Sequence, residues 1–305
     1  MAQTFSGRTL RFLVGYPVGG VADFIARTST EGLGQRLGGA QVMVDNKPGA
    51  AGNIAMETVL KATPESGIMG MFSHLQVTMN PHVPQLALKG SDPLRDLVPV
   101  IGLADLILML AVSSASQIKT LDQFLAKARQ QGPDFRMGIA GVGSPHHLAI
   151  LLLQKNADLN MTLVPYKGGA PMMADAGGGH LDAVVTTLPV GQPLVQAGKL
   201  NWIATVPAIT VPSLPHLPHL ATVLKGDTVP TGNGIFAPPG TPAAVAQELH
   251  AAFKQQLEQA ALISRLRANG LEPVMGTRQQ FAEKIRAESV AMKDFLTKVQ
   301  VDFSS

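Results

Sequence analysis

The sequence predicts an α/β protein built as two lobes, and three observations carry that expectation. Short apolar runs alternate with helix-period patterns almost throughout, the signature of helices layered on largely parallel sheets. A glycine pair, Gly19-Gly20, joins an apolar run to a helical pattern, and the same order of strand, turn and helix returns at Gly143-Ser144. At 305 residues the chain more naturally makes two domains than one.

Leu10, Phe12, Leu13 and Val14 read as a buried strand, and Phe24, Ile25, Leu33 and Leu37 suit one face of a helix over residues 21–37. A second strand over 41–44 leads through Asn46-Lys47-Pro48-Gly49 into a helix over 50–61, and a third strand covers 68–72. The following residues, 73–78, are expected as a loop at the strand's carboxyl end, where open α/β sheets place ligand contacts. After Pro93 the pattern shifts, and a strand over 107–112 marks passage into the second lobe.

There the periodicity predicts a helix over 121–130, a strand over 135–139, a helix from Pro145 to about 156, and strands over 162–165, 183–187 and 202–205. Proline spacing between 207 and 218 forbids regular structure. A strand over 232–237 and helices over 243–256, 260–268 and 278–298 complete the chain in the style of its start. The expected layout is therefore discontinuous, with residues 1–104 and 230–305 in one lobe, 105–229 in the other, and two crossings between them.

Composition removes several function classes. Hydrophobic residues make up 46% of the chain and charged ones only 15%, which excludes a disordered protein. The net charge of +3 and the absence of a basic run with interleaved aromatics give no support to nucleic-acid binding. There is no cysteine, so disulfides, thiolate catalysis and zinc ribbons are out. The longest apolar run, over 106–112, is too short to span a bilayer. Residues 1–5 show neither a charged n-region nor an apolar h-region, while Ala2-Gln3 suits the start of an exported mature chain.

The chemistry concentrates at strand-to-helix turns. Gly19 and Gly20 lack Cβ atoms and precede a helix whose first N–H groups have no intrahelical partners, so the Gly19-Gly20-Val21 turn can hold a carboxylate or phosphate through backbone donors, or can simply bend the chain. Asp23 can cap the helix start. In the second lobe Ser144 suits the N-cap and Pro145 the first helical position, and His147 falls in the first turn, able to donate to a ligand oxygen or to pack against its helix.

Ser73, Gln76 and Thr78, with Thr186 and Thr187, add neutral hydrogen-bonding groups, and Tyr166 and Lys167 follow a strand within reach of a ligand. Gly141-Val142-Gly143-Ser144-Pro145 is not a Gly-x-Ser-x-Gly elbow, so Ser144 with His146 or His147 makes a poor hydrolase. His216 and His219 sit in a proline loop without carboxylate companions, and no metal or cofactor is called for.

Taken in order, several segments resemble the substrate-binding proteins of the tripartite tricarboxylate transporter system, the Bug or TctC-like family. They are Tyr16-Pro17-Val18-Gly19-Gly20 with Asp23 and Arg27; Val44-Asp45-Asn46-Lys47-Pro48-Gly49-Ala50-Ala51-Gly52-Asn53; Asn80-Pro81; Gly143-Ser144 with His147-Leu148-Ala149; Val164-Pro165-Tyr166-Lys167-Gly168; Gly179-His180-Leu181-Asp182; and Phe236-Ala237-Pro238-Pro239-Gly240-Thr241-Pro242. The chain departs from the family pattern at Pro64-Glu65-Ser66-Gly67-Ile68, and His74 and Gln76 need not be typical of it.

The resemblance implies a type II periplasmic binding-protein fold, two α/β lobes around a cleft that closes on a small organic acid. It implies a non-enzymatic, periplasmic receptor, monomeric, which hands a di- or tricarboxylate or an aromatic acid to transporter membrane subunits, or alternatively presents it to a sensor kinase. It also implies that one ligand carboxylate lies against the Gly19-Gly20-Val21 and Gly143-Ser144 loops. Read from their own positions in the sequence, Tyr16, Asp23, Ser73, Gln76, His147, Tyr166, Lys167 and Thr186 are the further ligand-binding candidates.

Overall fold

The computed structural model describes residues 5–141, 143–166, 169–211 and 213–298. The chain begins with strand β1 (Thr9–Val14), helix α1 (Val21–Thr30), a short α2 (Leu33–Arg36), β2 (Gln41–Asn46), α3 (Asn53–Leu60), β3 (Ile68–Ser73) and α4 (His74–Thr78). A turn of helix, α5 (Pro93–Asp96), leads into β4 (Val98–Leu106).

The middle of the chain forms β5 (Leu108–Ser113), α6 (Leu121–Gln131), β6 (Arg136–Ile139), α7 (Pro145–Ala157), β7 (Thr162–Pro165), α8 (Gly169–Gly177), β8 (Ala183–Thr187), α9 (Leu188–Gln196), β9 (Leu200–Thr205) and α10 (Ala221–Leu224). The end adds β10 (Gly232–Ala237), α11 (Ala243–Leu257), α12 (Ala260–Ala268), β11 (Leu271–Pro273) and α13 (Arg278–Lys298).

Two compact units result, Met1–Asp105 with Thr231–Lys298, and Leu106–Pro230. The first carries a six-stranded sheet in the order β11-β4-β10-β3-β1-β2. Strands β2, β1 and β3 are parallel, as the alternating pattern predicts, and β10 runs against both β3 and β4. Successive side chains of β1 serve opposite faces. Phe12 meets Phe253 of α11 edge to face at 5.5 Å, whereas Leu13 joins Met56, Val59, Phe72, Phe236 and Phe281 on the other side.

The second unit has a five-stranded sheet, β7-β6-β8-β5-β9, in which β7, β6 and β8 are parallel and β5 opposes β8 and β9. One face packs Met109, Met172, Met173, Val184 and Trp202 together. Phe124 of α6 and Phe135, just before β6, meet edge to face at 5.5 Å.

The structure corrects two local expectations and adds a strand that the sequence reading left out. The helix over 21–37 breaks at Gly32, whose φ of +74° forces a new start at Leu33. Of residues 73–78, expected as a loop, Ser73 ends β3 and caps α4, and His74–Thr78 form α4 itself. The run over 98–106, which Pro99, Gly102 and Asp105 interrupt, is strand β4, because it pairs with β10 along almost its whole length.

Parallel pairing aligns strand ends. Val14 lies beside Asn46 and Met71, and Ser73 lies opposite Asn233, so the loops after β1, β2 and β3 share one edge of the first sheet. The chain leaves and re-enters the unit at that edge, where Asp105 pairs with Gly232. In the second unit the loops after β6, β7 and β8 likewise share an edge, with Leu108 of β5 opposite Thr187.

Candidate functional site

In the first unit the turn after β1 ends in a helix start without a side-chain cap. Gly20 is the N-cap of α1, in extended conformation with φ −80° and ψ 172°, and Phe24 N–H bonds back to its carbonyl at 2.9 Å. Gly19 has φ +85°, a region that side chains disfavour. Gly20 has no such constraint. A Cβ placed on it would meet only the Pro17 carbonyl oxygen, at 3.5 Å. The fold therefore requires glycine at 19 but not at 20.

Asp23 is 4% exposed and braces this turn. The Gly19 N–H donates to its Oδ2 at 3.0 Å, and Arg27 Nε lies 2.9 Å from Oδ1. Arg27 also donates to Asn46 Oδ1 at 3.0 Å, and Asn46 Nδ2 donates to the Tyr16 carbonyl at 3.0 Å. Burial pulls the Asp23 carboxyl upward, but Arg27, the Gly19 N–H and Asn46 outweigh it and hold the group below its ordinary value. Its oxygens thus face the protein's own donors.

Ser73 and Gln76 close a capping box at α4, with Gln76 N–H to Ser73 Oγ at 3.3 Å and Ser73 N–H to Gln76 Oε1 at 2.8 Å. The Tyr16 hydroxyl sits 3.4 Å from Ser73 Oγ. Burial pushes the Tyr16 phenol up, with Ser73 opposing. The Gln76 amide fills a slot between backbones: Cβ atoms on Gly15 and Gly52 would fall 2.8 and 1.5 Å from its Nε2. Thr78 donates to the His74 carbonyl at 2.8 Å. These side chains position the loops around them.

The second unit repeats the device. Ser144 caps α7 by accepting His147 N–H at 3.3 Å, and the Gly143 N–H donates to His147 Nδ1 at 3.1 Å, with Gly143 at φ +74°. Both glycines immediately precede the N-cap, and both acceptors stand at the third helical position, four residues on. Accepting at Nδ1 fixes the neutral tautomer with the proton on Nε2. Burial lowers the His147 pKa to about 4, and that of neighbouring His146 to about 4 as well. The imidazole Nδ1 faces Gly143 rather than the Ser144 hydroxyl, which is occupied as a cap.

Tyr166 donates to Asp175 Oδ2 at 2.7 Å, and burial together with that carboxylate pushes its phenol up to about 12. Thr186 and Thr187 are buried at the end of β8, Thr186 opposite Met109. Lys167 lies outside the described residues. Among the described residues no group of three or more histidines and carboxylates is placed to hold a metal ion.

The sequence reading assigned no role to Asn46, Arg27, Gly15 or Gly52, which carry much of this geometry. The Ser73-His74-Leu75-Gln76 spacing is a capping-box signature that would have announced α4.

Comparison with known proteins identifies the family. The family model described as "Tripartite tricarboxylate transporter family receptor" matches residues 25–301. A Cupriavidus necator protein, named for its place in the gbd 5′ region, is 30% identical over 290 residues, covering 95% of this chain and 86% of its own. The protein BugT of Bordetella pertussis is 28% identical over 283 residues, covering 92% and 85%.

Among solved structures, one described as a periplasmic transporter superposes with a TM-score of 0.81 at 27% identity, covering 98% of this chain and 99% of that one. An R. palustris protein solved with adipate gives 0.80 at 27% identity, covering 95% and 97%. BugD shares the fold, at 22% identity and a TM-score of 0.77, covering 96% and 98%. With two α/β units, glycine turns at both helix starts and a family match across most of its length, this chain belongs to the tripartite tricarboxylate transporter receptor family, whose members are solute-binding receptors and not enzymes.

Proposed function

We propose that this protein captures a small organic carboxylate outside the cytoplasm, in the periplasm, and delivers it as a monomer to the membrane subunits of a tripartite transporter. One ligand carboxylate takes hydrogen bonds from the backbone of the Gly19-Gly20-Val21 turn, and the Gly143-Ser144 turn is its counterpart in the second unit. The observation that carries this reading is Gly20: its φ and its Cβ direction admit a side chain, and the helix start asks only for an N-cap residue, which Ser, Thr, Asp or Asn would serve as well, while close approach of an anion to the N–H groups of α1 favours the one that has no side chain. Adipate binding by a 27%-identical relative of the same fold supports the ligand class.

The test is Gly20→Val, measured by calorimetric titration with adipate and a panel of mono-, di- and tricarboxylates alongside a melting curve. The variant is expected to fold with a loss of no more than about 1 kcal/mol, the cost of valine at an N-cap, and to lose at least about tenfold in affinity. Undiminished affinity in the variant, or a parent that binds no carboxylate, would overturn the proposal.

A further inference from the structure

The loop edge of the first unit places apolar side chains in solvent and turns its polar ones inward. Val18 is 70% exposed, Val21 42% and Ile54 48%, three of the few large hydrophobic side chains so exposed among the described residues. Val18 precedes Gly19-Gly20, Val21 opens α1 directly after them, and Ile54 is the second residue of α3 on the same edge. Its Cδ1 lies 2.6 Å from the Cβ position of Gly49, so Ile54 leans over the loop after β2. In the second unit Val190, 45% exposed, sits in the first turn of α9, just after Thr186 and Thr187.

The polar side chains beside the first turn have partners already. Asp23 holds Gly19 and Arg27, Ser73 and Gln76 hold each other, and the Tyr16 hydroxyl faces Ser73. The side chains nearest the turn that reach furthest into solvent are Val18 and Val21, which offer no hydrogen bond.

Resting on the carboxylate reading above, we infer that Val18, Val21 and Ile54 select organic acids whose body next to the bound carboxylate is apolar, unsubstituted methylenes or an aromatic ring, and discriminate against acids hydroxylated there. A hydroxyl lying against Val18, Val21 and Ile54 gives up its water to side chains that offer no hydrogen bond, whereas a methylene there gains by burial. A second carboxylate at the far end of the ligand is compatible, since Lys47 follows β2 on the same edge.

Calorimetric titration of the full chain with matched pairs tests this: succinate against malate, butyrate against 2-hydroxybutyrate, and hexanoate as the extended acid. The hydroxylated member of each pair is expected to bind about tenfold more weakly or worse, and hexanoate to gain about fourfold per added methylene over butyrate. The double variant Val18→Ser with Val21→Ser, both exposed and so without effect on the melting temperature, should bring each pair to within about threefold. Equal or tighter binding of the hydroxylated acid by the parent overturns this inference and leaves the carboxylate reading standing. A parent that binds none of these acids, nor any other carboxylate, overturns both.

Discussion

The Gly19 N–H donates to Asp23 Oδ2 at 3.0 Å, four residues ahead and one helical turn in. The same offset joins the Gly143 N–H to His147 Nδ1 at 3.1 Å. In each unit a glycine with positive φ turns its own N–H back onto the helix, and the helix's third residue receives it. The third-position acceptor thereby braces the turn in each unit. Asp23 makes the arrangement acceptable for an anion, because a carboxylate engaged by three donors repels a ligand less than a bare one.

Asp23→Ala should therefore cost both folding and binding. Removing the acceptor frees the Gly19 N–H and strands Arg27, for an expected loss of about 1–3 kcal/mol in stability and about tenfold in carboxylate affinity. Asp23→Asn, which keeps an acceptor for Gly19, should recover most of the affinity. The carboxyl pKa is depressed in the folded state, so its contribution is present above the unfolded value near 4 and is lost as pH falls through the lower folded value. Urea denaturation from pH 3 to 7 on the parent and both variants checks the sign. A parent-to-Ala difference that grows on acidification would contradict it.

His147 predicts the opposite end of the acid range. Its folded pKa, about 4, lies below the unfolded value near 6.5, so the unfolded chain binds more protons between these limits. Stability is complete above about pH 6.5 and declines as pH drops toward 4, by on the order of 3 kcal/mol. His147→Gln offers an oxygen to Gly143 without titrating. Its pH profile should be flatter than the parent's over that window, with the two curves diverging as pH falls below 6.5. Parallel curves would show that the imidazole does not carry the dependence.

How much of this was legible in the sequence follows from the range of each interaction. Helices α12 and α13 were readable to the residue because apolar periodicity, local by nature, defines them. Strand β4 was not, since Pro99, Gly102 and Asp105 interrupt its apolar run and only pairing with β10 makes it a strand. The glycine turns were visible as glycine turns. The side chains that shape them were not, because Asn46 meets Tyr16 and Arg27, and Gln76 meets Gly15 and Gly52, only once parallel strand pairing has brought separate loops to one sheet edge. Side chains proposed as ligand contacts, Ser73, Gln76 and Asp23, have the right polarity for that task, and polarity alone does not tell a ligand contact from a loop brace.

Gly52 provides the sharpest structural test of that bracing. It has φ +87°, and a Cβ there would fall 1.5 Å from Gln76 Nε2 and 2.8 Å from its Cδ, a distance no repacking of the slot can absorb without ejecting the amide. Gly52→Ala combines that clash with backbone strain and should destabilise the protein by about 2–4 kcal/mol, read as a lower urea midpoint at unchanged slope. The two causes can be separated. Gln76→Ala alone removes the capping-box partner of Ser73 and should cost about 1 kcal/mol. In the double variant the clash is gone and only the φ penalty and the lost cap remain, so it should be more stable than Gly52→Ala alone, a coupling of opposite sign to simple additivity. If the double variant is instead the sum of the two singles, Gln76 does not occupy the slot between Gly15 and Gly52, and the buttress joining the β1 turn to α4 must be redrawn.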